Sequence, residues 1–404
     1  MNLGNVFAYL FQVVIARVLS AEDFGAFNAL NSLAVVIAAP VAVLPVVFSR
    51  YTVQLMQDGL GQVKCLLTDS LRLLFLLAVF VFILGLFALP WLRDYLHLEQ
   101  STPILIILFQ LVLSLLFPVL IGVLQGLHRF SFVGMGGSGF ALFRLLGAII
   151  FVYFLAWSVN GALFSSIFGI LVGTVIAVWG LKDVFQQNIV KIPQYLYKNM
   201  AWYALPVFIC TSMMTVLGNL DITLVRHYCS AEEAGLYATA AILGRIALFL
   251  PGVLLLVLFP TAAKASHEDN EDQRILWLSI AMTALLGGGF SLICWLFPEQ
   301  LIGLLFGSKY LAAAALLQKI SLAMALLAVA NVVFMYSLAR HSFGFIWFLV
   351  IGVVSMLAMI FMYHDTAEMV ANILLYSIAA ILLFTIFWFV LSHGIQKTKI
   401  VYLS

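Results

Sequence analysis

Four charged side chains lie inside long apolar stretches of the sequence, and a fifth, Asp69, lies close to the end of one. The four are Arg144, Asp221, Arg245 and Lys319. A charge near the centre of a bilayer is costly, so it normally faces the interior of a helix bundle or a wet cavity and serves function. Because three cations accompany one acid, at least two positive charges are expected to lack an acidic partner in these stretches. A water-filled cavity with this surplus would select an anion.

Asp221 allows two interpretations. A buried carboxylate can bind a proton or a sodium ion as the protein changes conformation, which makes Asp221 the candidate for ion coupling. The alternative is that Asp221 pairs with Arg245 or Lys319 and that this pair only holds the helices in register. Other polar side chains support a cavity. These are Gln12, Asn28 and Asn31 in the first half of the chain and Asn219 and Thr223 in the second.

The stretches that carry these residues are predicted membrane spans. The chain has 404 residues, of which 65% are hydrophobic and only 9% are charged, a composition that no soluble globular domain of this size shows. Apolar runs of about 20 residues between short polar joints predict an all-α polytopic membrane protein with about twelve transmembrane helices. The first run is short for a full span, so either the chain start is trimmed or the helix is completed by another segment. The predicted helices are 3–15, 24–48, 66–91, 104–124, 140–157, 161–181, 201–225, 236–262, 275–297, 312–338, 343–363 and 369–391.

A loop motif occurs twice in the sequence. Ser20-Ala-Glu-Asp-Phe-Gly25 follows the first predicted helix, and Ser230-Ala-Glu-Glu-Ala-Gly235 follows the seventh. Both serines are predicted N-caps, with acids in the first turn where the helix macrodipole favours negative charge. A proline, Pro40 or Pro251, follows each glycine at nearly the same distance. Such self-similarity at one long period indicates that the two halves share a fold.

The repeat also aligns the buried polar residues of the two halves. Each loop is preceded by an arginine, Arg17 or Arg226. Allowing one residue of slippage, Gln12 occupies in the first copy the place that Asp221 holds in the second. Gln12 is therefore the second candidate for ion coupling.

The distribution of lysine and arginine predicts the orientation. Most of these residues fall on one side of the predicted spans, and short loops rich in them are cytoplasmic. The other side holds only Arg17, Arg93, Arg226 and Lys309. Both termini are then cytoplasmic, and six helices per half make the halves parallel repeats related by an axis along the membrane normal. We predict an N-terminal lobe at 1–181, a cytoplasmic linker or hinge at 182–198 and a C-terminal lobe at 199–404.

The sequence gives no sign of an enzyme, a cofactor, a metal or a nucleic-acid partner. Its four cysteines and seven histidines lack metal-ligand spacing, and its net charge is only +2. The glycines at 134–139 lack the strand and lysine of a nucleotide site and predict close helix packing instead. The acidic run at 266–274 is interpreted as a solvated loop, and 51–64 as a helix lying on the membrane surface. Every joint is short, so any chemistry would have to occur inside the bundle.

Several segments together resemble one family. They are Ala16-Arg-Val-Leu-Ser-Ala-Glu-Asp-Phe-Gly25, Leu124-Gln-Gly-Leu-His-Arg-Phe130, Asn219-Leu-Asp-Ile-Thr-Leu-Val-Arg226, Glu232-Glu-Ala-Gly-Leu-Tyr237, Leu243-Gly-Arg245 and Leu258-Phe-Pro260. In combination they look like the polysaccharide biosynthesis exporters, the Wzx-type flippases of the multidrug/oligosaccharidyl-lipid/polysaccharide (MOP) superfamily. The similarity covers essentially the whole chain.

This resemblance implies a MATE-like fold, with two six-helix lobes forming a V around a central cavity. It also implies flipping of a polyprenyl-pyrophosphate-linked oligosaccharide, such as an O-antigen or capsule unit, across a bacterial inner membrane. By position, the cationic cavity residues of such flippases correspond to Arg245, Arg144 and Lys319. Asn28 and Asn31 are expected to be polar residues of the same cavity. The resemblance implies membrane lipids, a polysaccharide polymerase and chain-length machinery as further partners. No cofactor is expected, and transport would be coupled to protons or sodium ions.

Two other functions stay open. A drug or cation antiporter of the same fold would prefer an acidic cavity, against which the surplus of buried cations counts. A membrane-embedded glycosyltransferase or polymerase would usually need a sizeable extramembrane loop and a clustered site, and the sequence has neither.

Overall fold

A computed structural model of the chain describes residues 2–57, 59–251, 269–339 and 342–401. The Leu-Phe-Pro motif at 258–260 and the beginning of the acidic run at 266–274 lie outside the described residues. The predicted helix 236–262 can be followed as far as Pro251.

The described residues form helices and no strand. The α-helices, numbered in chain order, are α1 Asn2–Val18, α2 Ala21–Ile37, α3 Leu44–Met56, α4 Leu60–Tyr95, α5 Thr102–Gly126, α6 Phe130–Ala148, α7 Ser158–Gly180, α8 Lys182–Gln186, α9 Gln194–Tyr228, α10 Ala231–Gly244, α11 Asp269–Leu296, α12 Pro298–Leu305, α13 Ala314–Ala339, α14 Phe345–Met362 and α15 Ala367–Val401.

The prediction of a polytopic all-α protein with about twelve spans is confirmed. Within the described residues, 11 helical segments are long and apolar enough to cross a membrane, and Leu3–Val18 is a shorter apolar helix. Several segments extend beyond their predicted bounds. Among them are α4, which has 36 residues where 66–91 was predicted, and α9, which has 35 where 201–225 was predicted. The prediction of a separate surface helix at 51–64 is wrong, because α3 ends at Met56 and α4 begins at Leu60 within it.

The repeated loop caps a helix in both halves. The Ser20 hydroxyl accepts a hydrogen bond from the amide of Asp23, 3.0 Å away, and the Ser230 hydroxyl accepts one from the amide of Glu233 at 3.3 Å. The two serines have nearly the same backbone angles, with φ −63° and ψ 161° in the first and φ −64° and ψ 157° in the second. Both were predicted N-caps, and each satisfies an amide that the first helical turn leaves without a partner.

The helix after each cap is interrupted near its proline. A 3₁₀ helix at Ala39–Val43, which contains Pro40, separates α2 from α3. In the second half, α10 ends at Gly244, a turn follows at Arg245, and helical structure resumes up to Pro251. Proline lacks the amide hydrogen that would continue the helical ladder, so a break in this region is expected in both copies.

The chain divides into two compact units, Met1–Ser212 and Met213–Ser404, so that α9 begins in the first and ends in the second. Residues 187–193, which we call the strap, connect α8 to α9 and lie against the beginning of α4 in the first unit. The amide of Val190 donates to the carbonyl of Gly61 at 3.2 Å. The Lys64 ammonium donates to the carbonyl of Phe185 at 2.8 Å and to that of Gln187 at 2.7 Å. The strap is therefore fastened to the first unit by backbone and side-chain hydrogen bonds.

Candidate substrate and ion-coupling sites

Asp221 lies at the centre of a polar cluster in the second unit. Its side chain is fully buried on α9. The guanidinium of Arg245 donates from Nη2 to Oδ1 at 3.2 Å, and the hydroxyl of Tyr237 donates to Oδ2 at 3.0 Å. The carboxylate thus has a charged partner and a neutral one, which is what a buried acid requires.

Arg245 is placed by the break in α10. The preceding residue, Gly244, packs closely against α13, where an added Cβ would lie 3.0 Å from the Ile320 side chain. The Arg245 side chain is mostly buried, and its Nε atom is buried without a hydrogen-bond partner among the residues that the structure describes. The guanidinium therefore gives Asp221 one bond, rather than the parallel pair that an arginine can offer to one carboxylate.

Arg144 is the buried cation of the first unit, on α6. Its Nε and Nη2 atoms are buried and have no hydrogen-bond partner within the described residues. Its guanidinium carbon lies 3.9 Å from the centre of the Phe11 ring on α1 and 5.9 Å from that of Phe140. Stacking on a ring face compensates part of the cost of burying a cation, but it does not neutralise the charge.

Close helix packing fixes the backbone at Arg144. Gly169 on α7 lies against this part of α6, because an added Cβ would be 2.5 Å from the carbonyl oxygen of Phe140 and 3.0 Å from Cβ of Arg144. A second contact lies along the same pair of helices, where Gly136 faces Gly173. The predicted role of the glycines at 134–139 in helix packing is thus seen at Gly136, inside α6 rather than in a loop.

Lys319 has an acidic partner that sequence reasoning missed. Its ammonium donates to Oε1 of Glu368, and both side chains are partly exposed. Glu368 was overlooked because the last helix was predicted to begin at residue 369, whereas α15 begins at Ala367. Of the three predicted anion-binding cations, Arg245 and Lys319 therefore each contact an acid, and Arg144 contacts none among the described residues.

The amide side chains predicted to line a cavity differ in availability. Asn28 is buried, and its Nδ2 donates to the carbonyl of Phe24 in its own helix at 2.9 Å. Asn31 is half-buried three residues further along α2. Gln12 on α1 has a buried Oε1 atom without a hydrogen-bond partner among the described residues. Among the described residues, Gln12 thus keeps an unused acceptor, while Asn28 spends one donor on its own backbone.

The ends of α1 and α9 give an alignment of the two halves that differs from the one made on the arginines. The final turn of α1 is closed by a bond from the amide of Leu19, and that of α9 by a bond from the amide of Cys229, each at 2.9 Å. This correspondence needs no slippage, so it aligns Asp221 with Phe11 rather than with the neighbouring Gln12, and Tyr237 with Phe27. The rings of Phe11 and Phe27 touch edge to face, with centroids 5.9 Å apart. An aromatic pair therefore replaces the hydrogen-bonded pair of the second half.

Asp69, the acid near a span end, belongs to the contacts that hold the start of α9 to the first unit. Its Oδ2 accepts a hydrogen bond from the Tyr197 hydroxyl at 2.8 Å, and the Cys65 thiol lies 3.5 Å away. Within the described residues, no group of three or more His, Cys, Asp or Glu side chains is arranged to hold a metal ion.

Comparison with known proteins identifies relatives of the sequence and of the fold. The family model described as polysaccharide biosynthesis protein matches residues 14–315. No curated protein sequence matches the chain significantly. A multidrug resistance MATE family transporter of the MOP superfamily, solved in an inward-facing conformation, superposes with a TM-score of 0.80 at 13% identity, covering 97% of this chain and 95% of that one.

Two other solved structures extend the comparison. The lipid II flippase MurJ in an inward closed conformation gives a TM-score of 0.72 at 12% identity, covering 95% of this chain and 85% of that one. MATE in complex with MaL6 gives 0.66 at 13% identity, covering 98% and 95%. At these identities the likeness concerns the fold, and it confirms the predicted MATE-like architecture.

Proposed function

Because the chain belongs to the polysaccharide biosynthesis protein family, we propose that it flips a polyprenyl-pyrophosphate-linked oligosaccharide across a bacterial inner membrane. The observation that carries this proposal is the buried guanidinium of Arg144, whose Nε and Nη2 atoms have no partner among the described residues. One structural neighbour is a flippase of lipid II, which shows that this fold supports flipping. The glycan would be an O-antigen, capsule or related unit.

The chemistry of Arg144 suits a pyrophosphate. Nε and Nη2 form one edge of the guanidinium, and this edge donates two parallel hydrogen bonds to a phosphate or carboxylate. An uncompensated cation in a membrane-spanning helix is costly, so it normally marks a substrate or ion pathway. An anionic head group entering the first unit would supply the missing acceptors.

Arg245 and Lys319 are proposed as further contacts for the anion, with Asn31 as a polar neighbour. Each of these cations already touches an acid, so it would bind the substrate only after exchanging that partner. This makes Arg144 the first contact and the other two secondary.

Asp221 is proposed as the coupling group, with Gln12 as the second candidate. Protonation of Asp221 would remove the charge that holds Arg245 and so free that guanidinium for the substrate. A sodium ion is a poorer fit at Asp221, since the guanidinium only 3.2 Å from Oδ1 would repel it. Transport would proceed by alternating access, with the termini in the cytoplasm, and the flipped glycan would pass to a polymerase and chain-length machinery.

The competing function is a cation-coupled drug antiporter, since a multidrug transporter is among the structural neighbours. A cationic drug would need an available buried acid. Asp221 is already paired with Arg245, and Arg144 would repel such a substrate. These two contacts favour an anionic substrate.

The test is flipping of a fluorescent polyprenyl-pyrophosphate disaccharide in proteoliposomes that hold the purified chain. We expect Arg144→Ala to reduce flipping by about a hundredfold, because a charge-assisted hydrogen-bonded pair contributes on the order of 3 kcal/mol. Arg93→Ala is the matched control, since Arg93 pairs with its neighbour Asp94 at an exposed site. Unchanged flipping in Arg144→Ala, or dye export driven by a proton gradient without lipid flipping, would overturn the proposal.

A further inference from the structure

We propose that Phe11 is a positioning residue for the anion site, a ring platform that fixes the plane of the Arg144 guanidinium and leaves the hydrogen-bonding capacity of its Nε–Nη2 edge for an oxyanion. This inference rests on the proposed function, because it concerns how Arg144 receives the pyrophosphate. It assigns a binding role to an aromatic residue that has no polar atom of its own.

The geometry separates the two ways in which a guanidinium makes contacts. Phe11 lies against the face of the group, with 3.9 Å between the guanidinium carbon and the ring centre. Hydrogen bonds to phosphate or carboxylate run in the plane of the group, along its edges. The ring therefore does not compete with an anion for the same donors. Both donors of one edge, Nε and Nη2, are without a partner among the described residues.

Phe11 is itself held in place. Its side chain is fully buried, and the ring of Phe27 on α2 meets it edge to face, with centroids 5.9 Å apart. The base of the Arg144 side chain is constrained by the close approach of Gly169 to its Cβ. A long, rotamer-rich arginine is thereby restricted before the ligand arrives, which reduces the entropy lost on binding.

The second half shows what a different residue at this position does. There Asp221 occupies the place of Phe11, and its carboxylate neutralises Arg245, which follows α10, whereas Arg144 lies on α6. A ring stabilises a cation without supplying an acceptor, so it holds Arg144 while leaving its hydrogen-bonding capacity unused. Phe11 thus orients the Arg144 guanidinium and offers it no hydrogen-bond acceptor.

Replacement of Phe11 by a graded series of fluorinated phenylalanines tests the proposal. Fluorination withdraws charge from the ring face at nearly constant shape, so it weakens a cation–π contact without opening a cavity. We expect the KM for the polyprenyl-pyrophosphate disaccharide to rise stepwise with fluorine number, by about tenfold for the pentafluoro ring, while kcat changes little. Phe11→Tyr should keep the parent KM, and Phe11→Leu should raise it.

Two controls separate this inference from the proposed function. The melting temperature of each variant in detergent is measured along the fluorinated series, because a weaker cation–π contact also lowers stability, and KM is compared at a temperature where every variant is folded. If Arg144→Ala abolishes flipping but KM is flat along the series, Phe11 is not a positioning residue and the proposed function survives. If Arg144→Ala flips normally, both proposals fail.

Discussion

The two halves of the chain place different chemistry at equivalent positions. In the second half, Asp221 accepts hydrogen bonds from Tyr237 and Arg245. In the first half, Phe11 takes the place of Asp221 and packs on Phe27, which takes the place of Tyr237. The Arg144 guanidinium lies on the ring face of Phe11. One arginine is therefore neutralised by a buried acid, while the other is stacked and keeps its charge.

This difference shows how a duplicated scaffold can divide two tasks. The capped loops are common to both halves, and the helix after each cap is interrupted, at Ala39–Val43 in the first half and at Arg245 in the second. The halves differ in the residue at this position, ring or carboxylate, and in the helix that supplies the arginine, since Arg144 lies on α6 and Arg245 follows α10. We infer that the first half is built to receive an anion and the second to respond to an ion.

The largest expected effect of a single change is at Asp221. Asp221→Ala leaves Arg245 and the Tyr237 hydroxyl without their acceptor in a buried site, so the free energy of unfolding should fall by about 3 kcal/mol. Denaturant titration in mixed micelles measures it. Asp94→Ala is the control, because Asp94 pairs with Arg93 at an exposed site, where a salt bridge contributes less than about 1 kcal/mol. Equal losses in the two variants would show that the cluster around Asp221 is not a closed ion pair.

A smaller loss of stability is expected at glycines where the helices near Arg144 and Arg245 pack against their neighbours. Gly169→Ala puts a methyl group 2.5 Å from the Phe140 carbonyl oxygen, so α6 and α7 must separate, at a cost of about 2 kcal/mol in unfolding free energy. Gly287→Ala in the second unit meets the Ala247 carbonyl at 3.0 Å and should cost less. Gly137→Ala meets nothing within 4 Å and should be neutral or slightly stabilising, since alanine favours helix. A Gly169→Ala variant as stable as Gly137→Ala would contradict the packing at Arg144.

A third experiment converts one half toward the other. Phe11→Asp gives Arg144 the counter-charge that Arg245 has, so flipping of the polyprenyl-pyrophosphate disaccharide should fall by about tenfold beyond the loss in Phe11→Asn. Phe11→Asn is the matched control, because it removes the ring and adds a neutral side chain of the same size. Flipping at equal rates in the two variants would show that the vacancy of Arg144 does not matter.

Much of this organisation was predictable from the sequence, but the contrast between the halves was not. Runs of about 20 apolar residues indicate spans, and Ser20 and Ser230 mark helix starts through local hydrogen bonding. A stack of Arg144 on Phe11 has no such local signal, because 14% of the chain is aromatic and α1 and α6 are distant in sequence. Alignment of the two arginines before the loops also introduced a slip of one residue. That slip matched Asp221 with Gln12 and concealed the exchange of a carboxylate for a ring.

The smallest expected effect concerns the boundary between the two compact units. We propose that the strap moves with the first unit and is not the hinge, since Lys64 and Val190 fasten it to α4. An added Cβ at Gly61 would lie 3.4 Å from Cβ of Val190, close to the spacing of about 3.5 to 4.5 Å in disulfides. In a cysteine-free background, Gly61→Cys with Val190→Cys should form a disulfide and leave the flipping rate unchanged.

Gly61→Cys alone is the control for this cross-link, because its side chain also crowds the Asn188 carbonyl. Oxidation and reduction are then compared in the same proteoliposomes. If the disulfide stops flipping and a reductant restores flipping, the strap itself bends during transport. The boundary between the moving parts then lies before α9. If flipping continues at the parent rate, the strap and the start of α9 travel with the first unit. The proposed substrate contact, Arg144, and the proposed coupling group, Asp221, then belong to units that move separately, with the boundary inside α9.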